Sequence, residues 1–220
     1  MKIFQDSFLV LKEMFQDLPS KFSELMANPS TLITLIALMV MVILLISIRK
    51  VKLTTKVLVL IAVTVALSTV LGSLTLYKMP QGGSITPGSM VPILLLSFIY
   101  GPEVGFLTGL IYGFINLITG PYILHPMQVL LDYPLPFMLL GLSGYFKNTY
   151  LGCSVGVLGR FISHVLSGVI FFADYAGNQN PWIYSIVYNG SYLLPELFLT
   201  LIIFALLPLG RLKSIATTTA

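Results

Sequence analysis

Long stretches without a charged side chain constrain the fold of this chain more than any other feature of its sequence. Residues 31–48 and 57–76 are two such stretches, and both are rich in Leu, Ile and Val. An α-helix of about 20 apolar residues crosses the hydrocarbon core of a bilayer. Only 9% of the residues are charged, whereas about a quarter are charged in a typical soluble domain. The sequence therefore predicts an all-α integral membrane protein.

Further apolar stretches complete the predicted bundle. They cover residues 90–100, 104–119, 129–146, 151–173 and 182–209, and the last three contain ionisable residues. Together with residues 57–76 they give six predicted spans, and residues 31–48 form one additional N-terminal transmembrane helix. Because the stretch over 90–100 is short for a span, we expect it to follow an extracellular loop that folds back into the bundle.

Basic residues beside the spans orient the chain. The densest basic group lies between the first two spans and consists of Arg49, Lys50, Lys52 and Lys56. Lys and Arg accumulate in cytoplasmic loops. Threading the other spans from this loop predicts that the turns at 79–87, 121–128 and 174–181 lie outside and that the C-terminus is cytoplasmic.

The sequence divides into three parts. Residues 1–56 hold the additional span and the basic cytoplasmic linker, and Phe4, Phe8, Leu11 and Phe15 recur at helical spacing before them. That spacing predicts an amphipathic helix over residues 1–30. Residues 57–209 form the six-span membrane domain, and residues 210–220 are a predicted cytoplasmic tail.

Ionisable residues inside the predicted spans are Asp132, Arg160, His164 and Glu196. Each costs about 2.5–3.5 kcal/mol at the centre of a span, so each needs a partner, water or a function. The threading puts Asp132 and His164 at the depth of Tyr184 and Asn189, near the outer ends of their helices. This convergence predicts a pocket open to the outside. For Arg160, a structural role such as pairing with Glu196 stays open.

Aromatic residues are expected near the same outer face. They are Tyr122, Tyr133, Phe171, Phe172, Tyr175, Trp182, Tyr184 and Tyr188. Aromatic belts are common at membrane interfaces, but aromatic rings beside a carboxylate also suit a small, flat, cationic ligand.

Catalytic and metal-binding motifs are absent from the sequence. Ser163 and Ser167 flank His164, but residues one and three apart on a helix are not arranged as nucleophile and base. The sequence has neither a His-Glu-x-x-His metal motif nor a nucleotide-binding Gly-rich motif. The single cysteine, Cys153, excludes an internal disulfide. We expect neither a metal ion nor an enzyme, with an intramembrane hydrolase as a remote alternative.

Four segments carry a resemblance to a known family. They are residues 79–83 (Met-Pro-Gln-Gly-Gly), 125–133, 160–172 and 184–189. In this order and spacing the chain resembles the thiamine-specific substrate-binding (S) components of energy-coupling factor (ECF) transporters over about residues 57–209. The resemblance implies a six-helix S-component fold in a bacterial plasma membrane. It also implies docking onto a transmembrane coupling subunit that two ABC-type ATPases drive.

The resemblance further implies roles for individual residues. It assigns substrate binding to Asp132, Tyr133, His164, Gly168, Phe172, Tyr184 and Asn189. Ala62 and Ala66 match the family's Ala-x-x-x-Ala coupling surface; small residues one turn apart let another helix approach closely, although packing within the bundle also uses this pattern. Some members have Trp where Phe172 stands, and some have a Trp in the loop that here covers residues 79–87.

The predicted function is therefore high-affinity capture of thiamine from outside, as the substrate-specific subunit of an ECF-type vitamin importer. Thiamine is the expected ligand; no cofactor and no nucleic acid are expected. An S component for another vitamin or a cationic precursor is the alternative.

Overall fold

The computed structural model of the protein describes residues 29–218. Residues 1–28, which make up nearly all of the predicted N-terminal amphipathic helix, lie outside the described residues. The chain divides by its contacts into residues 1–39 and residues 40–220, and the packing described below is that of the second unit.

The described residues are mostly helical. In chain order the α-helices are α1 (Pro29–Ile48), α2 (Thr55–Ser73), α3 (Val91–Tyr100), α4 (Pro102–Thr119), α5 (Pro126–Asp132), α6 (Pro134–Leu139), α7 (Thr149–Phe171), α8 (Pro181–Leu206) and α9 (Leu209–Thr218). Two 3-10 helices cover Leu140–Tyr145 and Ala173–Ala176. Within the described part of the chain, five helices are long and apolar enough to cross a membrane: α1, α2, α4, α7 and α8. Their bounds lie within a few residues of the predicted spans.

The prediction of one continuous helix over residues 129–146 is wrong. The backbone there forms α5, α6 and a 3-10 helix, and the first break falls at Tyr133. Proline has no N–H to donate and its ring clashes with the carbonyl four residues earlier, so Pro134 ends α5 and begins α6. The break leaves Asp132 as the last residue of α5.

The predicted C-terminal tail begins with a helix. Residues 209–218 form α9. The side chain of Lys56, at the start of α2, donates a hydrogen bond to the carbonyl of Ala216, with an N–O distance of 3.1 Å. The beginning of α2 and the end of α9 therefore lie at the same end of the bundle.

An apolar core fills the bundle between α2, α3, α4, α6, α7 and α8. Ile93, Leu94, Leu140 and Cys153 are completely buried in it. α3 lies almost wholly inside this core, so its 10 residues need not match the thickness of a bilayer.

A short β-hairpin follows α2. β1 (Tyr77–Lys78) and β2 (Ser84–Ile85) pair antiparallel. The hydropathy pattern does not predict these strands. Gly82 and Gly83 form the turn with φ angles of 93° and 85°, a backbone conformation that glycine adopts at little cost.

Candidate functional site

A cavity of about 390 Å³ lies under the hairpin, between the helix ends on the hairpin side of the bundle. This volume is in the range of small-molecule sites. Its wall is contributed by α2, the hairpin loop, α4, the segment from residue 120 to α6, α7 and α8. The polar, aromatic and charged residues on the wall include Lys78, Thr86, Ser89, Tyr112, Tyr122, Gln128, Asp132, Tyr133, Arg160, His164, Phe172, Tyr184, Tyr188, Asn189, Tyr192 and Glu196, and Gly168 lies among them.

The Asp132 carboxylate lies at the centre of a hydrogen-bonded group. Its Oδ1 is 3.1 Å from Nδ1 of His164 on α7, and its Oδ2 accepts from the Gln128 amide at 2.6 Å. Gln128 is itself held by the backbone of Tyr122 and Leu124. Both carboxylate oxygens are therefore fixed in position, and one side of the group faces the cavity.

A buried ion pair lies deeper in the same cavity. The Arg160 guanidinium is 3.6 Å from Oε2 of Glu196 on α8, and both side chains are less than a tenth exposed. The Oε1 atom of Glu196 accepts from the backbone N–H of Thr86 at 2.7 Å and from the Thr86 hydroxyl. The guanidinium also lies 4.5 Å from the ring centre of Phe137. The pairing weighed from the sequence is thus present, and it also ties the loop before α3 to α8.

The Asp132 carboxylate is the charged group of the cavity that has no permanent cation beside it among the described residues. Arg160 and Glu196 offset each other, and Lys78 stands at the exposed rim. Within residues 29–218, the Asp132 carboxylate contacts the His164 imidazole, and no Lys or Arg reaches it. A carboxylate in a partly desolvated cavity without a permanent cation beside it favours a cationic ligand.

Aromatic rings form the outer part of the wall. Tyr122 and Phe172 stack with ring centres 5.8 Å apart, and Tyr184 and Tyr188 lie at the same distance from each other. The Tyr122 hydroxyl is 2.8 Å from that of Tyr175, and this hydrogen bond raises the pKa of Tyr122 above its ordinary value. The rings therefore offer uncharged faces to a flat ligand.

A close approach of α7 and α8 shapes the inner wall. A Cβ atom on Gly168 would lie 2.1 Å from Oγ of Ser185, so glycine is required at this position. Ser185 donates to the carbonyl of Val165 at 2.8 Å, and the Asn189 amide donates to the Ser185 carbonyl at 2.9 Å. The Asn189 oxygen accepts from Tyr192 at 2.9 Å. Hydrogen bonds thus fix the side chains of this wall.

The hairpin is held over the cavity by Tyr188. Its hydroxyl accepts from the backbone N–H of Gln81 and donates to the carbonyl of Gly82, each at 2.9 Å. Gly83 packs on Tyr192, because a Cβ atom there would lie 2.7 Å from the Tyr192 ring. The hairpin forms a cover whose attachment depends on α8.

The residues predicted for substrate binding all lie on the wall of this one cavity: Asp132, Tyr133, His164, Gly168, Phe172, Tyr184 and Asn189. Ala62 and Ala66 lie elsewhere, on the exposed side of α2. Among the predicted aromatic residues, Phe171, Tyr175 and Trp182 are not on the wall. Phe171 stacks on His125 instead, with ring centres 5.1 Å apart.

Sequence reasoning missed several wall residues, among them Thr86, Tyr112, Gln128 and Tyr192. Tyr112 and Gln128 are polar residues in or beside predicted spans, which is the pattern that singled out Asp132. Tyr192 is four residues after Tyr188 and thus on the same helix face. Thr86 belongs to a loop whose fold the sequence did not predict.

The geometry does not support hydrolysis. The Ser163 hydroxyl donates to the carbonyl of Leu131 at 2.7 Å and has no bond to His164. Among residues 29–218, no group of three or more His, Cys, Asp or Glu side chains could hold a metal ion.

Comparison with known proteins decides the family. Residues 58–216 match the family described as Thiamine transporter protein. The chain belongs to this family. It is a largely helical, multi-pass membrane protein of a transporter family and not an enzyme. Residues 29–57 of the described part lie outside the match.

Individual relatives agree with this assignment. The thiamine transporter ThiT of Bacillus subtilis is 36% identical over 149 residues, which cover 59% of this chain and 77% of that protein. ThiT of Lacticaseibacillus paracasei is 28% identical over 140 residues, or 54% of this chain and 70% of that protein. A solved structure of ThiT from Listeria monocytogenes superimposes with a TM-score of 0.65 at 25% identity, covering 73% of this chain and 96% of the other.

Proposed function

We propose that this protein captures thiamine from outside the cell as the S component of an ECF transporter. The observation that carries the proposal is the aromatic-walled cavity, in which no Lys or Arg of the described part of the chain pairs with Asp132. Thiamine joins a flat aminopyrimidine to a thiazolium ring with a permanent positive charge. Stacked aromatic rings and a carboxylate complement both parts. The names of the relatives support the same ligand.

The seven wall residues have distinct proposed roles. Asp132 acts as counter-ion to the thiazolium or accepts from the amino group, and His164 supplies a planar wall beside it. Phe172, Tyr133 and Tyr184 supply ring faces or hydroxyl groups. Gly168 lets α7 and α8 approach closely, and Asn189 fixes the wall beside His164 through its hydrogen bonds.

Calorimetry on the purified protein tests the ligand directly. We expect thiamine to bind, and riboflavin and biotin not to bind, at micromolar protein. Mass analysis of small molecules that co-purify with the protein would identify its natural ligand. Absence of heat with thiamine, together with binding of another vitamin, would replace the proposed substrate while leaving the transporter family unchanged.

Asp132→Asn tests the residue on which the proposal rests. We expect thiamine to bind roughly ten- to a hundred-fold more weakly, which corresponds to the 1.5–3 kcal/mol of a hydrogen bond to a charged group. Asp174→Asn is the matched control, because Asp174 is exposed and is not on the cavity wall. Wild-type affinity in a folded Asp132→Asn variant would remove this residue from the site.

The proposed orientation has the cavity facing outside and α9 facing the cytoplasm. Lys56, the last residue of the basic group, contacts α9, and positive residues mark the cytoplasmic side. Since the native Cys153 is buried, new cysteines at exposed positions report the topology. A membrane-impermeant maleimide should label Asn178→Cys in intact cells and Lys147→Cys only in permeabilised cells; the reverse pattern would invert the orientation.

The proposed partners are a membrane-embedded coupling subunit and two ABC-type ATPases. Ala62 and Ala66 are exposed on α2, where small side chains permit close approach of another helix. The partner would thus dock on a surface that contains none of the substrate residues.

A further inference from the structure

Arg160, on the cavity wall, contacts His164 as well as Glu196. On α7 the two side chains are four residues apart and therefore on one face of the helix. Nε of Arg160 donates to Nε2 of His164 at 3.4 Å. Within the described part of the chain this is the hydrogen bond that Arg160 makes, since its Nη1 is 3.6 Å from Glu196 and has no hydrogen-bond partner.

This contact determines where the imidazole carries its hydrogen. A guanidinium has five N–H donors and no acceptor. Nε2 of His164 must therefore be the acceptor, and a neutral imidazole then carries its hydrogen on Nδ1. Nδ1 is 3.1 Å from Oδ1 of Asp132 and can donate to it. A second proton on His164 would point an N–H at the guanidinium and add a positive charge beside it.

The other groups that face His164 do not change this conclusion. From α5 the facing charge is Asp132, which accepts the hydrogen of Nδ1. From α8 the titratable side chains are Tyr192, whose ring centre is 6.3 Å from the imidazole, and Glu196, which contacts Arg160. Arg160 is the group that acts on Nε2.

We propose that Arg160 is a positioning residue for ligand capture. Its guanidinium keeps His164 uncharged with the hydrogen on Nδ1, so that the negative charge of Asp132 stays available to a cationic ligand. The consequence of this inference, selection of a cationic ligand, rests on the proposed function. The protonation state of His164 does not depend on it. Glu196 offsets the charge of Arg160, so the guanidinium does not itself repel the ligand.

Nitrogen NMR of the imidazoles tests the proposal without any ligand. The chain contains two histidines, His125 and His164, and His125→Gln assigns the remaining signals. In the full-length protein labelled with ¹⁵N-histidine, we expect His164 to have a protonated Nδ1 and an unprotonated Nε2 from pH 8 to pH 5.5. A protonated Nε2 in the wild-type protein would overturn the proposal.

The double variant Arg160→Met/Glu196→Gln removes the contact but keeps the net charge of the cavity. Methionine is unbranched and packs well on an aromatic ring, here that of Phe137. We expect Nε2 of His164 in this variant to become protonated within the range from pH 8 to pH 5.5, because no N–H is aimed at this nitrogen any longer. An unchanged imidazole in the double variant would contradict the role of Arg160.

Glu196→Gln alone is the matched control. It leaves the guanidinium beside Nε2, so His164 should keep the wild-type form. If this single variant behaved like the double variant, the ion pair and not the Arg160–His164 contact would determine the imidazole, and the proposal would fail.

Thiamine titrations at several pH values complete the test. We expect constant affinity in the wild-type protein from pH 8 to pH 5.5 and a loss of about ten-fold or more in the double variant over that range. A loss equally steep in the wild-type protein would contradict the proposal. If thiamine bound to neither protein, the proposed function would fail while the imidazole spectra would still decide the role of Arg160.

Discussion

The exposed side of α2 and the wall formed by α7 and α8 differ in how their small residues are used. On α2, Ala62 and Ala66 are exposed and have large apolar neighbours such as Val63, which is 59% exposed. On α7, Gly168 is buried against Ser185. The exposed side of α2 has room for a helix of another protein, whereas the Gly168 face of α7 is already covered by α8.

The two surfaces also differ in their polar residues. The α7–α8 wall carries Arg160, His164 and Glu196, each held by a charged or polar partner. The exposed side of α2 between Leu58 and Val70 carries no charge. Surfaces that combine small and apolar residues suit helix association in lipid, and partnered polar groups inside a bundle suit ligand binding. The two proposed tasks, docking and capture, therefore use separate surfaces, and substitutions should separate them.

The largest expected effect is on transport through the α2 surface. Ala62→Trp should abolish ATP-dependent thiamine uptake with the coupling subunit and ATPases present, because an indole prevents close helix approach. Thiamine affinity in detergent should stay within about two-fold, since Ala62 is not on the cavity wall.

Leu194→Trp serves as the control for this prediction. It adds the same ring to an exposed position of α8 and should leave uptake intact. Full uptake by Ala62→Trp would show that the α2 surface is not used for docking.

The α7–α8 contact should tolerate far less change than the α2 surface. Gly168→Ala places a methyl group where Oγ of Ser185 lies, and overpacking of this kind costs about 1–3 kcal/mol of unfolding free energy. Thermal unfolding in detergent measures the loss. Gly210→Ala is the control, because a Cβ atom there meets nothing within 4 Å. Equal stability of the two variants would mean that α7 and α8 can separate at little cost.

The smallest expected effect concerns the hairpin over the cavity. Tyr188→Phe removes the hydroxyl that holds Gln81 and Gly82. If the hairpin retains the ligand, thiamine should dissociate about five- to ten-fold faster, as expected for about 1–1.4 kcal/mol of lost hydrogen bonding. Stopped-flow dissociation measures this rate, and Tyr150→Phe, at an exposed position of α7, is the control. An unchanged rate would show that Tyr188 does not hold the ligand in.

Much of the architecture could be predicted from the sequence because bilayer thickness fixes the length of a span and successive spans alternate in direction. These two constraints place Asp132, His164 and Asn189 at one depth without knowledge of packing. The close approach at Gly168 was implied by the resemblance to the family.

Other features depend on information that hydropathy does not contain. Residues 129–146 contain no charged residue except Asp132, so hydropathy alone favours one helix, whereas Pro134 imposes a break. The depth of a residue in the membrane also does not fix the rotation of its helix about the helix axis. The sequence therefore left open whether Arg160 pairs with Glu196. The hairpin strands have two residues each, too few for an alternating pattern to be recognised.

The central claim is that Asp132 gives the cavity a negative charge that selects the thiamine cation. The most direct test compares thiamine with an isosteric analogue in which carbon replaces the charged thiazolium nitrogen. Calorimetry on the wild-type protein should find the neutral analogue roughly ten- to a hundred-fold weaker, and this difference should nearly vanish in Asp132→Asn. Equal affinity of the wild-type protein for the two molecules would contradict the claim.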